Sequence, residues 1–523
     1  MKIFLKNILF HIYSFALLVS VLVFFEFYSS TNSIERCSDP QDSDIYFYKT
    51  GHPQEDSKRS DESQLSSNNY SSIFPVPLEE DKSFNLFQDT LKPNHCLSGH
   101  EADVWYLGKN GIKWINDTPT VITGFADYVG EVMSSICDKN GDLLLYSNGD
   151  FIFNKYHERL ATIILKGGGS SSTFLILPQP GNDSIYYVFQ PQATYGNIND
   201  TIFNLYYTVV NVKANNYHGK VLQLSQLLMN TSSEKVTAIR HCNGRDWWII
   251  GLRATDEAFY SWILSDTGLT VNNPIVSYSG SVNHLLTYDQ KNLGWLKPSH
   301  DGRYIVEVTA GGQLYSALEL HRFNNTTGMI YDGIQVLDQA DKFIYLYSIE
   351  WSPDQSKIYV TGYNSASGYD LFQLEINQFD KTKIRNSLTN IAATQSNIGS
   401  PILGADNKIY ITNWGSKSEF LHVIHKPNLS GINCDFRYFD FSLGSKTSLG
   451  APLYASGLQF PYRAYIQGEQ FICHDTTVRY ILTDPCSHPE TQWSVFDGAK
   501  IIRHNEDTID VYFGSSGTYR ISA

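Results

Sequence analysis

The stretch Ser299-His300-Asp301-Gly302-Arg303-Tyr304-Ile305-Val306-Glu307-Val308 joins a polar turn to a run of β-formers. Asp and Gly suit the turn, and the aromatic and β-branched side chains that follow suit a pleated, half-buried strand. The same unit returns downstream as Asp354-Gln355-Ser356-Lys357 before Ile358–Val360, and as Asp406-Asn407-Lys408 before Ile409–Thr412. Upstream it reads Asn243-Gly244-Arg245-Asp246 before Trp247–Ile250, Asn182-Asp183-Ser184 before Ile185–Phe189, and Asp138-Lys139-Asn140-Gly141-Asp142 before Leu143–Tyr146. Counted from Asp138, Asn182, Asn243, Asp301, Asp354 and Asp406, the intervals are 44, 61, 58, 53 and 52 residues.

Each interval has room for further strands. Leu314–Arg322 and Gly333–Leu337 flank the turn Asn324-Asn325-Thr326-Thr327-Gly328, a hairpin signal. Four short antiparallel strands in roughly 40 to 60 residues make the blade of a β-propeller, which buries its faces only by stacking on other blades. The prediction is an all-β chain with about seven four-stranded blades over residues 97–465. Residues 103–124 supply the first strands without the turn unit. The isolated strand Gly450–Phe460 is expected to pair with that first segment and close both free edges.

Composition limits what such a ring can do. With 39 Lys+Arg against 53 Asp+Glu the formal charge is −14, opposite to the basic footprint that nucleic-acid binding needs. Aromatic residues reach 14%, too many for a disordered chain. Lys2 and Lys6 precede an apolar run from Ile8 to Phe25, the pattern of an export signal. Residues 1–30 are therefore read as an apolar helix, either a cleaved signal peptide or an uncleaved anchor, and as the sole contact with a membrane. The polar, aperiodic zone 31–96 reads as a disordered spacer. Seven cysteines are too sparse for a disulfide scaffold. Cys473 and Cys486 are the candidate disulfide, and Cys37, Cys96, Cys137, Cys242 and Cys434 are expected to be buried thiols.

Residues 466–523 restart with Phe471–Tyr480 and then Trp493-Ser494-Val495-Phe496-Asp497-Gly498. That element resembles the Trp-x-Phe-Gly-Asp-Gly signature of PKD modules, which are small immunoglobulin-like sandwiches; at about 55 residues the module is partial. Together with the stretches at 138–148 (DKNGDLLLYSN), 169–173 (GSSST), 177–182 (LPQPGN) and 186–189 (YYVF), the chain resembles exported bacterial surface proteins of the type IX secretion, gliding-associated kind, with a propeller followed by PKD modules. The resemblance implies a cell-surface or extracellular binding or adhesion protein. It implies a surface protein or polysaccharide as partner and names no catalytic residue.

Motifs for chemistry are sparse. Asp138-x-Asn140-x-Asp142 mimics half a calcium loop, but Leu143 and Gly149 stand where Gly and a bidentate acid are required, so a hairpin turn is expected. In Lys166–Thr173 the lysine precedes the glycines, the wrong order for a phosphate cradle. His95, His100, Glu101 and Asp103 lack zinc spacing. Trp247, Trp248 and Trp262 read as core, and the sequons at Asn116 and Asn324 as turns. No catalytic, cofactor or metal residue is assigned. The alternative to a binding protein is a propeller-type enzyme, a hydrolase, lyase or quinone-dependent oxidoreductase, with ionisable groups from several blades meeting in the central channel.

Overall fold

A computed structural model describes residues 98–125, 133–162, 174–195, 201–255, 258–280, 293–310, 316–338, 341, 343–364, 368–394, 397–415, 417–458, 465–467, 475–483, 493–495, 498–505, 508–514 and 521–522. The expected leader and spacer, the Lys166–Thr173 loop, and His95, Cys37, Cys96, Cys473 and Cys486 lie outside these residues. Among the described residues no helix is long and apolar enough to cross a membrane.

The turn unit works as the sequence suggests. Each of the six counted residues accepts a hydrogen bond from the backbone N–H two positions on: Asp138 from Asn140, Asn182 from Ser184, Asn243 from Arg245, Asp301 from Arg303, Asp354 from Ser356, and Asp406 from Lys408. This Asx turn satisfies a donor that the hairpin leaves over. Gly244 and Gly302, at φ 66° and 67°, take the left-handed step that follows. In all six units the turn links the innermost strand of a blade to the second, as in Gly294–Pro298 to Tyr304–Thr309. Blade 4 does the same with the end of Lys220–Arg240 and Trp247–Arg253.

Four sheets are plain four-stranded meanders. Blade 2 is Ser134–Cys137, Leu143–Ser147, Phe151–Asn154 and Arg159–Thr162. Blade 5 is Gly294–Pro298, Tyr304–Thr309, Ala317–Asn324 and Met329–Leu337. Blade 6 runs Phe343–Trp351, Lys357–Asn364, Gly368–Glu375, Thr389–Thr394, and blade 7 Asn397–Leu403, Ile409–Trp414, Phe420–Ile424, Phe436–Ser442. Blades 3 and 4 are fused through the 21-residue strand Lys220–Arg240. Its first part pairs with Thr201–Asn211 as the outer strand of blade 3. After an irregularity between Ser232 and Val236, its last part pairs with Trp247–Arg253 as the inner strand of blade 4.

Strands covered on both faces lose the in-out alternation of a one-sided sheet. Trp247–Leu252 is buried at every position. The cores lie between consecutive blades: Leu296, Ile305 and Phe323 meet Trp248 and Ile250, while Val306 and Leu320 meet Trp351 and Val360. Tyr359 and Leu371 meet Ile409 and Ile411, and one large cluster carries Tyr410 of blade 7 on to Trp105, Ile136 and Leu175 of blades 1 to 3. The last cluster closes the circle, so the fold is a β-propeller.

Closure differs from the expectation. Blade 1 has three strands, Val104–Tyr106, Asn110–Ile115 and Thr118–Thr123, and the segment after blade 7 does not extend that sheet. Side chains join the ends instead. Trp105 and Trp114 pack edge-on against Tyr410, and Asn110 Nδ2 donates to the Leu443 carbonyl at 2.8 Å. The segment itself turns inward. Leu449 O accepts from Ser400 N of blade 7, Tyr454 Oη donates to Val104 O of blade 1, and Ser456 forms a parallel bridge to Ile239 of blade 4. A ten-residue stretch that touches blades 7, 1 and 4 in turn crosses the centre of the ring.

The C-terminal residues form a separate pair of sheets. One is ordered Tyr465–Gln467, Thr476–Thr483, Thr508–Phe513, Lys500–His504, and the other pairs Ser494–Val495 with Ile521–Ser522. Tyr480, Trp493, Ile509, Val511, Phe513 and Ile521 make their own core.

Candidate functional site

The axis is the first place to look, because there several blades can contribute to one site. Residues Ala451, Leu453, Tyr454, Ala455 and Leu458 are all buried within it. Tyr454 Oη also lies 3.0 Å from Ser135 Oγ, and Ser456 Oγ donates to the carbonyls of Ser299 and His300 at 2.8 and 2.9 Å. The segment thus bridges blades 1, 2, 4 and 5 across the centre of the ring.

Three ionisable side chains gather beside this end of the axis. Lys297 Nζ lies 2.9 Å from Glu350 Oε2, with both side chains almost wholly buried. Glu350 Oε1 accepts from the backbone N–H of Trp351 at 2.9 Å, and Oε2, which meets Lys297, also accepts from Leu403 N at 3.1 Å, so Oε2 ties blade 6 to blades 5 and 7. Burial holds the His300 imidazole down to about 4, although Glu350 pulls the other way. A carboxylate held by an ammonium and two amides is committed to structure.

A second polar group lies off the axis, between blades 4 and 5. Glu307 on the second strand of blade 5 stands directly opposite Glu319 on the third. His321 shares a face with Glu319, because side chains two apart on a strand point the same way. Its Nε2 lies 3.6 Å from Glu307 Oε2 and 3.8 Å from Glu319 Oε2. Its Nδ1 lies 3.0 Å from Ser279 Oγ, and its ring packs edge-on against Phe259 of blade 4. Lys235, where blade 3 passes into blade 4, brings a fully buried ammonium 2.7 Å from Glu307 Oε1 and 2.8 Å from Thr309 Oγ1. Burial acts to raise the Glu307 carboxyl, but Lys235 and His321 outweigh it and hold the group down to about 2. Among the described residues this is the one gathering of three or more His, Cys, Asp or Glu side chains close enough to share an ion.

The motifs singled out in the sequence resolve into structure. Asp138 caps a hairpin, with Asp142 N also donating to its Oδ1 at 3.1 Å. His100 Nδ1 meets Asp103 Oδ2 at 2.7 Å, and Glu101 accepts from the N–H groups of Ser98 and Gly99. Trp247, Trp248 and Trp262 are core residues. Asn116 sits in a tight hairpin turn, and Asn324 ends a strand and accepts from Thr326 N and Thr327 N of the turn that follows. Cys137 and Cys434 are buried, but Cys242 is exposed, a correction that follows from its place in the turn before Trp247. Sequence reasoning missed Glu307, Glu319 and His321. Glu-x-His at 319–321 was the available signal, and its acidic partner is adjacent only once the strands pair.

No family model matches the chain, and no curated protein matches it. Solved structures similar to it include the periplasmic gluconolactonase PpgL of Pseudomonas aeruginosa, at 12% identity, covering 71% of this chain and 94% of that one with a TM-score of 0.35. Sqt1 of Saccharomyces cerevisiae aligns at 10% identity over 78% and 90%, TM-score 0.35. A quinoprotein alcohol dehydrogenase-like protein from Bacteroides thetaiotaomicron aligns at 12% over 69% and 76%, TM-score 0.33.

Proposed function

We propose that the protein is an exported, non-catalytic binding protein of the cell surface or extracellular space. In this reading the propeller presents its rim loops to a surface protein or polysaccharide. The C-terminal sheets act as a PKD-like spacer or adhesive unit, and residues 1–30 direct export. The observation that carries the reading is the filled axis: residues 449–458 lie where a channel enzyme would need its substrate, and the Lys297–Glu350 pair is consumed in holding blades together. A scaffold of this kind keeps its centre rigid and varies its loops. The test is to expose purified protein to cell-envelope polysaccharides and surface proteins while assaying it with lactone, glycoside and alcohol substrates. Saturable binding without turnover is expected. Turnover abolished by Lys297→Met or Glu350→Gln would overturn the proposal in favour of the channel enzyme.

A further inference from the structure

The group at the blade 4–blade 5 boundary brings three ligand-type atoms together in a buried place. His321 Nε2 is buried and has no hydrogen-bond partner among the described residues, while it points at two carboxylate oxygens. Separations of 3.6 and 3.8 Å are too long for hydrogen bonds. They are close to the spacing of ligand atoms around one ion: bonds of roughly 2.1 Å in a tetrahedron put neighbouring donors about 3.4 Å apart. We propose that Glu307 Oε2, Glu319 Oε2 and His321 Nε2 form a site for a single divalent ion of the zinc class, with a fourth position open to water.

The surroundings suit that role. Ser279 Oγ at His321 Nδ1 fixes the ring and, by accepting the Nδ1 proton, leaves the lone pair on Nε2, the arrangement seen at metal-bound imidazoles. Lys235 holds Oε1 of Glu307 and leaves Oε2 to face the other two donors. Two carboxylates directly opposite on neighbouring strands repel each other, and a dication between them reverses the sign. Glycine backbones wall the group: a Cβ at Gly280 would lie 2.0 Å from Glu319 Oε2, and one at Gly333 2.6 Å from His321 Nδ1. The imidazole sets the choice of ion. Calcium takes six to eight oxygens and magnesium a mostly hydrated octahedron, whereas one nitrogen and two carboxylates favour a first-row ion such as Zn²⁺. The ion would brace blade 5 to Ser279 and Lys235 of the preceding blade.

The test uses the full chain stripped of metal and titrated with Zn²⁺, then with Co²⁺ as a spectroscopic probe. One equivalent of Zn²⁺ is expected to bind and raise the melting temperature, and Co²⁺ to give the intense visible bands of a low-coordinate ion. Glu319→Gln and His321→Gln should each weaken Zn²⁺ binding about 100-fold or more, and Ser279→Ala about tenfold. Melting of each metal-free variant shows whether it folds, and the partly exposed Glu319 position decides if His321→Gln does not. No stoichiometric uptake by the native chain would overturn the proposal. So would unchanged binding in folded Glu319→Gln, or tighter binding of Ca²⁺ than of Zn²⁺.

Discussion

Two buried polar groups flank the same blade and differ in how their carboxylates are held. Beside the axis, Lys297 and Glu350 neutralise each other, and both carboxylate oxygens also accept backbone donors. At the blade 4–blade 5 boundary, Lys235 answers Glu307, while His321 Nε2 faces carboxylate oxygens of Glu307 and Glu319 at 3.6 and 3.8 Å. In the first group both oxygens of the carboxylate are engaged by donors, so it reads as cohesion; in the second, two carboxylate oxygens and an imidazole nitrogen converge at distances too long for hydrogen bonds, so it reads as a place for something else. The axis, where propeller chemistry is usually sought, is here the more inert of the two.

The comparison breaks first if the axial pair is dispensable. Glu350→Ala leaves a buried ammonium without its carboxylate and should destabilise the protein by about 3–5 kcal/mol in urea denaturation. Adding Lys297→Met should recover most of that loss; equal loss in the double variant would mean the pair does not act as a pair. Tyr454→Phe removes one hydroxyl from the axial segment, which Val104 O and Ser135 share, and should cost about 1–3 kcal/mol.

Acid titration sharpens the other side. Glu307 is held below the ordinary glutamate value of 4.5, down to about 2. Its contribution is therefore complete above pH 4.5 and is lost as the pH falls through about 2. The stability gap between the native chain and Glu307→Gln should shrink across that window, and a constant gap would contradict the Lys235 pairing. The smallest effect belongs to an exposed ion pair. Lys113 and Asp142 meet at 2.9 Å on the rim, and Lys113→Met should change stability by about 0.5 kcal/mol or less.

The repeat was legible because each unit carries its own local chemistry: an Asx turn needs Asp or Asn at one position, whatever the rest of the ring does. Blade 1 lacks that turn, and its strands were placed only as a remainder. The 21-residue strand that fuses blades 3 and 4 was hidden, since a bend near Ser233 changes partners without any Gly or Pro to mark it. Gly450–Phe460 read as a strand that closes the ring on the first segment because apolar side chains alone do not say whether a sheet or the centre of the ring buries them. Glu307 and His321 are separated in sequence by a hairpin, and only register brings them together.

The filled axis is tested most directly by thiol labelling of Leu453→Cys. Leu453 is 2% exposed within the axial segment, whereas Cys242 lies exposed in a turn of the same chain. Peptide mapping after maleimide treatment of the native protein compares the two sites in one sample. The expected result is Cys242 modified and position 453 protected until the protein is denatured. Labelling of position 453 as fast as Cys242 would mean that the segment does not occupy the axis.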